Sequence, residues 1–146
     1  MKKSVLLILT AIFMLIGARP AEAATCSGSS CNGQDPVATG CSSDAYGVKS
    51  REFVDETSMI LGTIYVLYSP TCQTVWAEVY ANFTSTNWIS AHIDGGYVRT
   101  LYGDASVVSP MSQTSSPSSE MACGTINVTY ESIWGPITTQ QSTCTL

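Results

Sequence analysis

The sequence predicts a mainly β fold, an antiparallel meander forming a small sandwich or barrel, with a disulfide-stapled loop at its N-terminal end. Three observations carry that expectation. From residue 46 onward, short runs of β-branched and aromatic residues recur between clusters of Gly, Pro, Asn and Ser, as they do in all-β domains. Six cysteines, Cys26, Cys31, Cys41, Cys72, Cys123 and Cys144, follow a segment that reads as a secretory leader, and an even number exported to an oxidising compartment suits a disulfide framework. Between Cys26 and Asp44 the chain is Gly, Ser, Thr, Asn, Asp and Pro with almost no apolar residues, so bridges must hold what packing cannot.

The leader comes first. Lys2 and Lys3 precede the apolar run VLLILTAIFMLI, and Ala21-Glu22-Ala23 supplies the small residues of a cleavage site, so residues 1–23 are expected to be a signal peptide. The run has twelve residues, short of the roughly 20 needed to cross a bilayer, and no lipid-attachment pattern precedes Cys26, so no stable membrane anchor is expected. Removal of Lys2, Lys3, Arg19 and Glu22 leaves Lys49, Arg51 and Arg99 against ten acidic residues, taking the net charge from −5 to −7. Three scattered cations cannot neutralise a phosphate backbone, which excludes nucleic acid as a partner. The same charge repels polyanionic polymers and favours a secreted, extracellular protein that diffuses freely.

Residues 24–45 form the cysteine-rich loop, and residues 46–146 the β portion of the same structural domain. Residues 48–54 read as a first strand, although 46–57 also fit a short helix. Residues 59–68 (MILGTIYVLY) carry no helical period and suit a central strand. A turn at Ser69-Pro70-Thr71 leads into residues 73–83, where Ala77, Val79, Ala81 and Phe83 alternate with Trp76, Glu78, Tyr80 and Asn82. The first set is expected on the core side, with Trp76 half covered. Residues 87–93 and 97–102 flank Asp94-Gly95-Gly96, a hairpin turn. Residues 103–120, with SQTSSPSS at their centre, read as a mobile surface loop. Residues 123–130 and 137–144 complete about seven strands.

The cysteine spacing answers what the sulfurs do. Metal sites favour C-x-x-C pairs with histidines nearby, whereas Cys26, Cys31 and Cys41 are more widely spaced and His92 is the sole histidine. Redox catalysis favours the same absent C-x-x-C motif. Structural bridges are therefore expected, with no free thiol and with Cys123 paired to Cys144 across the last two strands. No metal and no cofactor are expected.

CSGSSCNGQDPVATGC followed by YSPTCQTVW, from Tyr68 to Trp76, resembles the YjfA-like family of small secreted bacterial proteins, a domain of unknown function. Family members are often basic where this chain has Leu67 and Glu78. The resemblance implies a tie between the residue 26–41 loop and Cys72, consistent with three N-terminal cysteines that cannot all pair among themselves. It implies no activity.

Candidate chemistry is sparse. His92 would have to serve any Ser-His-Asp hydrolase, with Asp94, Asp55 or Asp104, and no G-x-S-x-G motif accompanies it. Glu52, Asp55, Glu56 and Glu78 are available as a glycosidase pair. Asn32, Asp35 and Asp44 offer oxygens for Ca²⁺ without the dense register of a calcium loop, and read first as turn formers. Aromatic residues are abundant by contrast: Trp76, Trp88 and Trp134 stand beside Tyr65, Tyr68, Tyr80, Tyr97, Tyr102 and Tyr130. Flat rings stack on sugars or anchor protein partners. The expected function is thus an extracellular module that binds a glycan or protein, with Trp88, Trp76 and Tyr97 as candidate binding residues; the alternative is a small secreted hydrolase acting on glycan or peptide.

Intact-mass analysis of the secreted protein is expected to give a chain beginning at Ala24 without lipid; a diacylglycerol adduct on Cys26 would contradict the reading.

Overall fold

The computed structural model describes residues 23–84 and 86–146. The expected leader lies outside them, except for Ala23. Among the described residues there are nine strands: β1 (Tyr46–Val54), β2 (Ile60–Ser69), β3 (Thr74–Ala81), β4 (Trp88–Ile93), β5 (Arg99–Leu101), β6 (Ser106–Val108), β7 (Ser112–Gln113), β8 (Ala122–Ser132) and β9 (Gly135–Cys144). The first sheet has the order β1-β2-β3-β6, with β7 also on β3, and the second has the order β5-β4-β8-β9. Every pairing is antiparallel. The sheets remain separate, so the sandwich form of the expected fold holds and the barrel does not. The meander holds from β1 to β3; the chain then builds β4 and β5 in the second sheet, returns for β6 and β7, and crosses again to β8.

Region 46–57 is strand β1 up to Val54, not a helix, because pairing with β2 and burial of Phe53 decide between two weak local patterns. Across β2 and β3, Ile64 faces Val79 and Val66 faces Ala77, and these inward pairs meet Ile89, Ala91, Ile126 and Val128 of the second sheet in the main core. Two glycines leave no room for a side chain. A Cβ on Gly62 would stand 2.2 Å from the Tyr80 carbonyl and 2.6 Å from Ile126, and one on Gly124 would stand 2.7 Å from Val79. Only glycine fits at either position without moving a strand.

Trp76 departs from expectation. Alternation correctly turns it away from the main core, yet it is fully buried, because the N-terminal loop covers that outer face of the first sheet. Cys31, Cys41, Cys72, Met111 and Trp76 form a second, smaller core. Bridges join Cys26 to Cys31, Cys41 to Cys72 and Cys123 to Cys144. No free cysteine is left among the described residues.

Residues 103–120 are the second correction. They contain β6, β7 and a 3₁₀ turn, Pro117–Ser119, in place of a mobile loop. Val107, Ser109 and Met111 are buried; the Ser109 hydroxyl accepts the Ala77 amide proton at 3.0 Å, and the Met111 amide donates to the Gln34 carbonyl at 2.9 Å. The apolar residues ahead of the serine-rich stretch are what pin it. At the β4–β5 hairpin, Gly95 takes a left-handed φ of 70° and the Gly96 amide closes on the Ile93 carbonyl at 2.8 Å. The second strand is shorter than expected, because Tyr97 and Val98 stay in the connection.

Cys41–Cys72 closes a sequence separation of 31 residues and Cys26–Cys31 one of 5. Replacing the Cys41/Cys72 pair by serine is expected to cost about 3–4 kcal/mol in denaturant unfolding, against about 2 kcal/mol for the Cys26/Cys31 pair, by the chain-entropy relation. Equal losses would show that loop length does not govern the effect.

Candidate functional site

Strand β4 turns Ile89, Ala91 and Ile93 into the core, so Trp88, Ser90 and His92 lie on the outer face of the second sheet. The same alternation on β8 sends Gly124, Ile126 and Val128 inward and Thr125, Asn127 and Thr129 outward. Pairing aligns these side chains in rows. Trp88 stands opposite Asn127 and then Gln140, Ser90 opposite Thr125 and then Ser142, and His92 opposite Cys123 and then Cys144. The rows are tied by their own hydrogen bonds: Thr125 to Ser142 at 2.8 Å, Thr129 to Thr138 at 2.8 Å, and the Asn127 amide to Gln140 at 3.4 Å. Asn87 donates to Asn127 at 2.7 Å and to Thr129 at 2.9 Å. The result is a flat field of hydroxyl and amide groups in register, with the half-buried Trp88 ring at one margin and no charged side chain in these rows.

At the opposite margin lies a groove of about 400 Å³ lined by Arg51, His92, Thr125, Ser142 and the Cys123–Cys144 bridge. Arg51 reaches from β1 across the sandwich edge and donates to the Cys144 carbonyl at 3.0 Å. His92 Nδ1 is buried without a hydrogen-bond partner among the described residues, so no carboxylate orients the ring through that atom. Asp94, Asp55 and Asp104 are therefore not bonded to the ring through Nδ1. Asp55 instead closes a turn, accepting the Thr57 hydroxyl at 2.7 Å and the Met59 amide at 2.9 Å, and Tyr130 donates to its second oxygen at 3.1 Å. The Thr57 hydroxyl, followed by the Met59 amide, holds its pKa below the usual carboxylate range.

Glu78, Asp44 and Asp35 are similarly occupied. Glu78 accepts the Tyr80 hydroxyl at 2.5 Å, and that bond, together with partial burial, pushes the Tyr80 phenol up to about 12. Asn32 accepts the Gln113 amide proton at 2.6 Å, and Asp44 accepts the Ser69 hydroxyl and the Thr71 amide. Asp35 caps the Val37 and Ala38 amides and forms an ion pair with Arg99 at 2.6 Å. Among the described residues, one group of Cys, His, Asp or Glu atoms lies close enough to share an ion: the sulfurs of Cys26, Cys31, Cys41 and Cys72, within 4.8 Å of one another and joined as two bridges.

The candidate rings separate. Trp76 is buried under the N-terminal loop, in place of the half-covered position expected, and is not at the surface. Tyr97 is exposed and lines a different groove with Asn32, Ser112 and Gln113, beyond the far end of β4 from Trp88. Sequence reasoning gave no special place to Trp134 and Ile133, which are 90% and 92% exposed at the β8–β9 turn. Their signal is the adjoining Gly135-Pro136, a turn-forming pair that leaves both side chains beyond the sheet.

Fold and site together define a disulfide-stapled, two-sheet β protein with a polar face edged by a tryptophan. The chain belongs to the family described as "Protein of unknown function (DUF2690)", whose model matches residues 29–123. It is 24% identical over 149 residues to the "Uncharacterized protein YjfA" of Bacillus subtilis (strain 168), covering 92% of this chain and 93% of that one. No solved structure gives a significant match.

Burial raises the Asp35 pKa, but the Arg99 hydrogen bond and two backbone amides outweigh it and hold the value below 3.8. A carboxylate with a depressed folded pKa contributes stability that is present above its unfolded value and lost as pH falls through the folded one. Arg99→Met is therefore expected to move the acid-unfolding midpoint to higher pH while leaving neutral-pH stability within about 1 kcal/mol. An unchanged acid midpoint would remove the pair from the acid stability of the loop.

Proposed function

We propose that the protein is an extracellular binding module that engages a glycan through the outer face of the second sheet. One observation carries the reading: uncharged hydroxyl and amide side chains stand in register across β4, β8 and β9, beside the Trp88 ring. Sugars present hydroxyl groups around an apolar ring face. Rows of Thr, Ser, Asn and Gln match the hydroxyls, and an indole matches the ring face. The groups are already fixed by bonds along each row, so little side-chain freedom is lost on binding.

The sequence supports the extracellular setting through its leader and cysteine usage. The three bridges are consistent with it, and no described helix is long and apolar enough to cross a membrane. Binding also suits the way the carboxylates are used. Asp35, Asp44, Asp55 and Glu78 are each engaged in a local contact.

The test is a panel of soluble oligosaccharides titrated against the oxidised mature protein, run beside screens for glycan, peptide and ester hydrolysis. Trp88→Ala is expected to weaken binding about thirtyfold, equivalent to about 2 kcal/mol. His92→Ala, Glu78→Gln and Asp55→Asn serve the hydrolysis arm. Turnover abolished by any of these, with the fold intact, would replace the binding reading with the hydrolase.

A further inference from the structure

We propose that the groove at the Cys123–Cys144 end of the face is a subsite for the carboxylate of an acidic sugar, held by Arg51 and His92 at one end of an otherwise neutral glycan. The inference rests on the glycan reading of the same face and adds the chemical class of one residue of the ligand.

The protein has few basic side chains. After the expected loss of the leader, its basic side chains are Lys49, Arg51, Arg99 and the lone His92. Arg99 is neutralised by Asp35, and the Lys49 ammonium donates to the Glu120 carbonyl at 3.1 Å. Arg51 has no carboxylate partner among the described residues; it makes one donation to the Cys144 carbonyl, which leaves most of its guanidinium protons free. It is exposed, and it lines the same groove as His92. No acidic side chain lines that groove. In the expected mature chain, with ten acidic side chains and a net charge of −7, two of the basic side chains that lack a carboxylate partner, Arg51 and His92, thus line one depression without an acidic side chain.

Arginine's planar fork matches a carboxylate through two parallel hydrogen bonds. The Thr125 and Ser142 hydroxyls, 2.8 Å apart, stand in the same groove and suit the hydroxyls that flank such a carboxylate on a sugar ring. A sugar fits better than a peptide terminus because the neutral rows continue from the groove to Trp88, four positions along β4 from His92 and roughly 13 Å away by strand rise. That distance accommodates a short oligosaccharide. The overall negative charge then sets the stoichiometry: a ligand with one carboxylate meets Arg51, whereas a polyanion also meets the repulsion of the rest of the surface.

Calorimetric titration of the oxidised mature protein decides the matter, with four probes: a glucuronic-acid-terminated tetrasaccharide, its glucose-terminated counterpart, a polyuronate, and a neutral tetrapeptide with a free C-terminus. The single-acid tetrasaccharide is expected to bind at least tenfold tighter than its neutral counterpart and tighter than the polyuronate per chain end. Arg51→Gln is expected to bring the acidic ligand down to the neutral ligand's affinity in the unsubstituted protein. Arg51→Lys and His92→Gln are expected to leave intermediate preferences, and thermal midpoints verify that each variant is folded. Equal affinity for the two tetrasaccharides, or a preference that survives Arg51→Gln and His92→Gln, would overturn the subsite while leaving the neutral face intact. Tighter binding of the peptide than of the acidic sugar would overturn the assignment to a sugar. If neither tetrasaccharide binds, the glycan reading itself fails.

Discussion

The end of the first sheet's outer face that carries Trp76 and Leu67 side by side cannot face water. The rest of the N-terminal half answers that constraint. A loop too polar to pack on its own is folded over the indole and fastened by the Cys41–Cys72 bridge, which joins it to the turn between β2 and β3. Met111, brought in between β6 and β7, closes the remaining side. The protein therefore has two cores on opposite faces of one sheet. The larger is made by sheet-on-sheet packing, the smaller by covalent bonds and one tryptophan. Burial supplies the driving force in both, but only the second needs disulfides, because its covering residues contribute almost no apolar area.

Charge is used sparingly to hold this arrangement. Asp35 and Asp44, which read in the sequence as calcium oxygens or turn formers, are the clips of the covering loop: Asp35 binds two of its own amides and Arg99, and Asp44 binds Ser69 and Thr71 beside the Cys72 bridge. The second sheet's outer face has no such covering. Its rows around Thr125, Asn127 and Thr129 are built from neutral polar groups that satisfy one another.

Where sequence and structure agree, the determinants are local. Alternation in β8, with Gly124, Ile126 and Val128 against Thr125, Asn127 and Thr129, is readable from period alone, and so is the turn at Gly95. The polar face was legible to that extent. Its registration was not, because matching Thr125 to Ser142 depends on a hairpin whose turn, Ile133-Trp134, lies eight residues from each. Trp76 shows the complementary difficulty: its side of the strand follows from alternation, but its burial is decided by Cys31 and Cys41, more than thirty residues earlier and without any period. Residues 103–120 were obscured by their serines. Val107 and Met111 carry the ordering signal, yet each strand there is too short to display a pattern.

The three tryptophans occupy three depths. Trp76 is sealed beneath the bridged loop, Trp88 is half-buried in the polar face, and Trp134 is 90% exposed at a hairpin tip. Each therefore reports optically on a different part of the molecule. A collisional quencher such as acrylamide reaches Trp134 first, contact with the second sheet's outer face alters Trp88, and loosening of the N-terminal staple reddens the emission of Trp76. The unsubstituted chain carries three built-in fluorophores, one for each region whose behaviour distinguishes a loosened loop from an occupied surface or a displaced hairpin.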